Sequence, residues 1–272
     1  NEWTSLESEC TRVFEELKTF YTEKNRNNVL ETIDEAPLEE EFIRPVLRKL
    51  GHKYDVQTNI PTSFGTFGTP DYALFTTEEE KNIARTDRPN YFKHVIGLAE
   101  AKKWTINLDR RIRAGAEERL IPSSQINTYL RLADVKWGIL TNGQHWRLYY
   151  KETSFSLDSY YEINLPAILE HGSLEDFKYF YLFFRKKAFV SASSGKCFLD
   201  EIYEQSITFA KALEEDVKEN VYEAIRVLAE GFLKYPQNDL SEAFLQITCP
   251  KIIIFLYRIL FILYSEDRGL LP

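Results

Sequence analysis

Two short stretches decide how this chain folds: TPDYALF (Thr69–Phe75) and HVIGLAEAKKW (His94–Trp104). Each is an apolar run of strand length with charge at its tip, Asp71 at the mouth of the first and Glu100 and Lys102 at the end of the second. Charged groups at the ends of buried strands need partners or a job. Side chains alternate along a strand, so Glu100 and Lys102 project from one face while Ala101 points the other way. A hairpin spanning the polar stretch between the runs would set Asp71 beside Glu100. Two adjacent carboxylates repel each other unless a cation lies between them. Oxygen donors with no sulfur or paired histidine nearby favour Mg²⁺, with Mn²⁺ as the alternative. Such an ion activates water and stabilises charge on a phosphate, while a neighbouring ammonium positions or deprotonates the attacking water. This is the chemistry of phosphodiester hydrolysis.

Working outward, Trp3, Leu6, Cys10, Val13, Leu17 and Phe20 recur at three- and four-residue steps, which predicts a helix buried on one face. A second helix is predicted over Ala36–Gly51, with Gly51 as its left-handed stop and Pro45 bending it or marking a late start. KYDVQTNIP (Lys53–Pro61) and KWGILTNGQHWRLYY (Lys136–Tyr150) read as β, the latter with a hairpin turn at TNGQ. The polar interval Thr76–Lys93 reads as a long loop or a partly helical insertion, and Ser123–Ala133 as a helix. Beyond about Asn164 the pattern is helical throughout, with Ser173 as an N-cap. The expected fold is therefore α/β, a mixed sheet flanked by helices over residues 1–165, followed by an all-α module over 166–272.

At 272 residues, with 28% charged residues and a net charge of −8, the chain is a globular protein that repels polyanions at long range. One exception is local: KKWTINLDRRIR (Lys102–Arg113) carries Lys103, Arg110, Arg111 and Arg113 against the single acid Asp109, and is the segment expected to meet phosphate. Three scattered cysteines suggest neither disulfides nor a zinc site, and a reducing, cytoplasmic setting is expected. Ile252–Tyr264 is too short to span a bilayer, carries Arg258, and reads as a helix buried by protein; no membrane partner is expected. The four histidines are dispersed, and neither a phosphate-binding P-loop nor a serine nucleophile elbow is present. Trp104, Trp137 and Trp146 read as core aromatics.

Pro70-Asp71 followed by Glu100-Ala101-Lys102 resembles the PD-(D/E)xK nuclease signature, and Gln125 with Tyr129, one helical turn apart, resembles the QxxxY element of its RecB-like members. The order Glu40–Pro61, Thr69–Phe75, Gly97–Trp104, Ser124–Leu130 and Lys136–Tyr150 is similar to the nuclease region of bacterial or archaeal fused restriction-modification enzymes of the type IIG kind. The stretch Leu256–Pro272 is similar to the helical connector that precedes their methyltransferase. The resemblance implies a restriction-endonuclease-like core and a site-specific deoxyribonuclease acting on double-stranded DNA and leaving 5′-phosphates. Asp71, Glu100 and the Ala101 carbonyl would hold the metal, Lys102 would serve the water, and Gln125 and Tyr129 would stand beside them. An accessory glutamate on the first core helix is placed at Glu40, among Glu39, Glu40 and Glu41. S-adenosylmethionine would be used only by a methyltransferase part that this sequence lacks; that part and a target-recognition domain are the implied partners, with a transient dimer for double-strand cleavage. The alternative is a non-catalytic module that docks onto a methyltransferase.

Overall fold

The computed structural model describes residues 2–62, 65–110, 121–237, 242–268 and 270. Helix α1 (Glu2–Lys24) buries Cys10, Val13, Phe14, Leu17 and Tyr21, the stripe that the helical spacing requires. After a short α2 (Val29–Thr32), α3 (Glu35–Leu38), a π turn over Glu39–Ile43 and α4 (Arg44–Lys49) form one nearly continuous helical path. The π turn stands directly before Pro45, whose missing N–H and bulky ring cannot be fitted into a regular helix interior. Gly51, at φ +87°, ends the path: its N–H bonds to the Arg48 carbonyl and that of His52 to the Leu47 carbonyl.

Strands β1 (Lys53–Val56), β2 (Ile60–Thr62), β3 (Gly65–Gly68) and β4 (Tyr72–Phe75) follow. The polar insertion then forms α5 (Glu78–Thr86) and a 3₁₀ segment (Arg88–His94) before β5 (Gly97–Ala101). After α6 (Pro122–Ala133) come β6 (Trp137–Thr141), β7 (His145–Tyr150) and β8 (Tyr161–Asn164). Six strands make one sheet in the order β1-β4-β5-β6-β7-β8, while β2 and β3 pair as a separate ribbon. Only β5 and β6 run parallel, joined by the crossover through α6; every other neighbour pair in the sheet is antiparallel. The mixed sheet is thus flanked by helices as expected, and a helical part follows it.

Both faces of β4, β5 and β6 are covered, which is why these strands read as continuous apolar runs. On one face Ala73, Phe75, Leu98 and Leu140 pack with Ile126, Tyr129 and Leu130 of α6. On the other, Trp146 meets Phe180 and Phe184 of α8 (Leu174–Phe184) with ring centroids 5.5 and 5.9 Å apart. Trp104, Trp137 and Trp146 are all buried. The β6–β7 turn falls at the expected place: Gly143 takes φ +88°, and the Asn142 side-chain oxygen accepts the N–H groups of Gln144 and His145.

The chain falls into two compact units, residues 1–201 and 202–272. The first extends well past residue 165, because α7 (Leu165–His171) and α8 both pack on α1. Ser173 caps α8 through a capping box with Asp176. A short α9 (Lys186–Phe189) precedes α10 (Phe198–Lys234), whose first residues belong to this unit. The second unit consists of the rest of α10 and α11 (Glu242–Asp267). Ile252 is buried, but Ile253, Ile254, Phe255, Tyr257, Phe261 and Leu263 are exposed, so the expected burial of this stretch is not met. A helix apolar all round is buried only where protein surrounds it on every side. Among the described residues no helix is long and apolar enough to cross a membrane.

His52, just after Gly51, is fully buried with its Nε2–H on the Phe184 carbonyl at 2.7 Å and Nδ1 without a partner. Burial, with a smaller push from the Lys186 ammonium, lowers its pKa to about 4. The unfolded chain takes up this proton near pH 6.5 and the folded chain only near 4, so stability falls as pH drops through that window. Between pH 7 and pH 5 this residue is expected to remove ~2 kcal/mol of stability. Urea unfolding at the two pH values measures it; His52→Gln, which keeps the donor and does not titrate, should flatten that part of the pH dependence.

Candidate functional site

The β4–β5 register sets Tyr72 opposite Ala99, and so Asp71 opposite Glu100. The Asp71 N–H donates to Glu100 Oε2 at 3.3 Å, and the Ala101 N–H donates to Asp71 Oδ2 at 2.8 Å. The Lys102 N–H continues the parallel ladder onto the Thr141 carbonyl at 2.8 Å, and its Nζ returns to Glu100 Oε1 at 2.5 Å. Three charged side chains therefore converge at one edge of two adjacent strands. Glu100 is 2% exposed and Lys102 7%, while Asp71 is only partly covered and forms the face open to solvent.

Electrostatics at this point are unbalanced. Burial pushes the Glu100 carboxyl up to about 8, the charge of Asp71 adds to the rise, and Lys102 only partly offsets it. Burial also raises Asp71, against the pull of Lys102. Desolvation works against the Lys102 ammonium, yet attraction to Glu100 and Asp71 carries its pKa above the usual range. One ammonium thus serves two carboxylates in a poorly solvated place.

Gln125 and Tyr129 lie on the α6 face turned to this cluster. Gln125 Nε2 donates to Tyr129 Oη at 2.8 Å, so the amide is spent on the tyrosine rather than on Lys102. Burial raises the Tyr129 pKa, and the charge of Glu100 adds to the rise. The same ring lies so close to Gly68 that a Cβ there would stand 2.5 Å from Tyr129 Cε1.

Of the three consecutive glutamates, Glu40 is not the one turned inward. It is exposed and ion-paired to Arg44, whereas Glu39 is buried, accepts a hydrogen bond from Tyr72 Oη and lies 3.9 Å from Arg44 Nη2. Burial raises the Glu39 carboxyl and the charge of Asp71 adds to it, so Glu39 belongs to the same electrostatic neighbourhood. Neighbouring helical residues point about 100° apart, so only one of three can face the sheet, and the π turn sets which. Glu35, one turn earlier, accepts the Lys103 N–H at 3.0 Å, and its charge is felt by Lys102. The four-residue spacing of Glu35 and Glu39 puts both on one helix face and was the signal available for them.

The basic segment is less uniform than its composition. The Lys103 ammonium pairs with the exposed Asp34 at 2.9 Å, and Arg110 is exposed; Arg111 and Arg113 lie outside the described residues. Asp109 is gripped at both oxygens by the buried Arg147, at 2.6 and 2.8 Å.

The donors that a cation would find here are the carboxylates of Asp71 and Glu100 with the Ala101 carbonyl. All are oxygens, and burial is what chiefly raises both carboxyls, so the set is of the kind that suits a hard ion keeping most of its water. Among the described residues no group of three or more His, Cys, Asp or Glu able to hold a metal ion occurs. Comparison with known proteins adds nothing to the geometry: no family model, no curated protein and no solved structure matches this chain.

Removing the amine while leaving the acids exposes the imbalance. In metal-free buffer Lys102→Met is expected to lose roughly 3–5 kcal/mol in urea unfolding. Adding Glu100→Gln should recover most of that loss, and a single variant as stable as the parent would contradict the charge pairing described here.

Proposed function

We propose that this chain is a Mg²⁺-dependent DNA endonuclease module of the PD-(D/E)xK kind, with a restriction-endonuclease-like core, from a fused restriction-modification enzyme. The observation that carries the reading is the convergence of Asp71, Glu100 and Lys102 across the β4–β5 pair. A merely structural sheet has no use for a buried and a half-buried acid sharing one amine, and a carboxyl raised as far as that of Glu100 inside such a cluster marks a candidate functional site.

In this reading Asp71, Glu100 and the Ala101 carbonyl hold Mg²⁺, which when bound neutralises phosphate charge and makes water more acidic. Asp71 is the partly exposed ligand and so the one facing the phosphate. Lys102, fixed by its bond to Glu100, keeps N–H donors for orienting the attacking water. Ala101 would contribute twice, since its N–H fixes the Asp71 carboxylate and its carbonyl would be a further oxygen donor to the ion. Tyr129, seated over Gly68 and held by Gln125, closes one side of the cluster. Glu39, rather than Glu40, is the accessory acid; the Tyr72 hydroxyl and Arg44 hold it. Attack in line with the leaving 3′ oxygen leaves a 5′-phosphate. Target choice falls to a recognition region outside this chain, as does any methylation with S-adenosylmethionine.

The second reading, a non-catalytic module docking onto a methyltransferase, is favoured by the exposed apolar side chains of α11, Tyr257 and Phe261 foremost. Nicking of supercoiled plasmid separates the two. With Mg²⁺ the parent should cut and EDTA should stop it, while the near-isosteric Asp71→Asn should lower the rate by at least ~100-fold with its fold intact. Equal cutting by parent and variant, or no cutting by either, would remove the nuclease reading.

A further inference from the structure

The insertion between β4 and β5 does more than connect them. It folds back over the edge strand β1: Arg85 reaches both oxygens of Asp55, with Nε 3.0 Å from Oδ2, and Tyr91 Oη donates to Oδ2 at 2.9 Å. Thr58 Oγ1 lies 3.0 Å from Tyr91 Oη. Between these contacts the surface opens into a groove of about 640 Å³, with Gln57, Thr58 and Asn59 on one wall and Arg85, Arg88 and Phe92 on the other.

Its position is fixed by register. Asp55 pairs with Ala73, and the Gln57 N–H bonds to the Asp71 carbonyl at 3.0 Å, so Gln57, Asp71 and Glu100 form one row across three neighbouring strands. Strands stand ~4.8 Å apart, which places the near wall of the groove roughly 10 Å from Glu100. Ala73 and Leu98 belong to the α6 side of the sheet. Asp55 faces that side with Ala73, its partner, and Asp71 and Glu100, two residues along each strand, face it as well. The groove therefore starts on the same face as the acid cluster and one strand away from it.

Its charge is positive although the chain is acidic. Asp55 is buried and taken up by Arg85 and Tyr91, while the Arg85 side chain is 54% exposed and Arg88 is exposed. The acids of the insertion lie outside the groove lining: Glu78 pairs with Lys81, Glu80 with His94, Asp87 with Asn90 and His94, and the exposed Glu79 bonds Thr77 at the start of α5. Guanidinium groups beside amide and hydroxyl donors match the oxygens of a phosphodiester backbone and carry no base-reading pattern.

We propose that this groove binds the sugar–phosphate backbone of DNA next to the bond that the acid cluster would cut, with Arg88 and Arg85 as its phosphate partners. The inference rests on the nuclease reading for its ligand, but its test reads binding alone. Fluorescence anisotropy of a short labelled duplex, in Ca²⁺ with no Mg²⁺, compares the parent with Arg88→Ala, Arg88→Glu and the control Arg12→Ala on α1, which packs on α8 across the sheet from the groove. Arg88→Ala should weaken binding roughly threefold to tenfold and lower the slope of log affinity against log salt by about 0.9, the loss of one phosphate contact. Arg88→Glu should weaken it further, and the control should match the parent, all with unchanged thermal midpoints. Unaltered affinity and slope in both Arg88 variants, or no duplex binding by the parent, would overturn the proposal. A parent that binds through Arg88 yet does not cut with Mg²⁺ keeps the groove and removes the nuclease; one that cuts but ignores Arg88 does the reverse.

Discussion

The site hangs on a buried argument between charges. Glu100 sits at the end of a strand covered on both faces, with Asp71 across from it and one ammonium, Lys102, between them and neutrality. Keeping the Glu100 carboxylate ionised out of water costs several kcal/mol, which is why its carboxyl is pushed up to about 8 despite the amine beside it. Such a cluster persists only where the backbone allows its members no other position. Here the β4–β5 register fixes Asp71, the β5–β6 ladder fixes Lys102, and the Ala101 N–H fixes the Asp71 carboxylate. The sheet is therefore best understood as the device that holds an unfavourable charge arrangement still.

That argument weighs against the blander reading of Glu100 and Lys102 as a surface ion pair. Exposed pairs contribute little and are replaced easily, but neither of these side chains is exposed. Their neighbours extend the same theme, since Glu39 and Glu35 approach from the first helical path and Tyr129 from α6. Two of these come from one helix face at four-residue spacing, so the helix that covers one side of the sheet also delivers acids to its edge.

Much of this was legible in the residues. Apolar runs with charge only at their tips could pair in few ways, and a hairpin-like return over the insertion set Asp71 against Glu100 as strand alternation implies. Gln125 and Tyr129 shared a helix face by spacing alone, and the TNGQ turn named itself. Other elements carried no local mark. Lys53–Pro61 reads as one strand but breaks at Gln57, which takes φ +50° without being glycine, and so yields β1 and β2. The edge strand β8 is four residues long and half-exposed, too short for its alternation to stand out. The choice of Glu39 over Glu40 turns on helical phase, and a π turn shifts phase in a way that composition does not show.

The insertion between β4 and β5 shows why phase and register matter more than composition here. Its sequence is polar and acidic at the start and reads as a long loop or a partly helical insertion, with no mark of the partners it finds. Folded, it holds Glu78, Glu80 and Asp87 on its own Lys81, His94 and Asn90 and turns two arginines toward β1. Local charge at a site is thus set by which residues are already paired, not by the count along the chain. The same holds for the segment after Lys102, where Arg147 takes up Asp109 and Asp34 takes up the Lys103 ammonium. An acidic protein can therefore present a cationic path beside a cluster of acids, provided its backbone register places each neutralising partner on the right face.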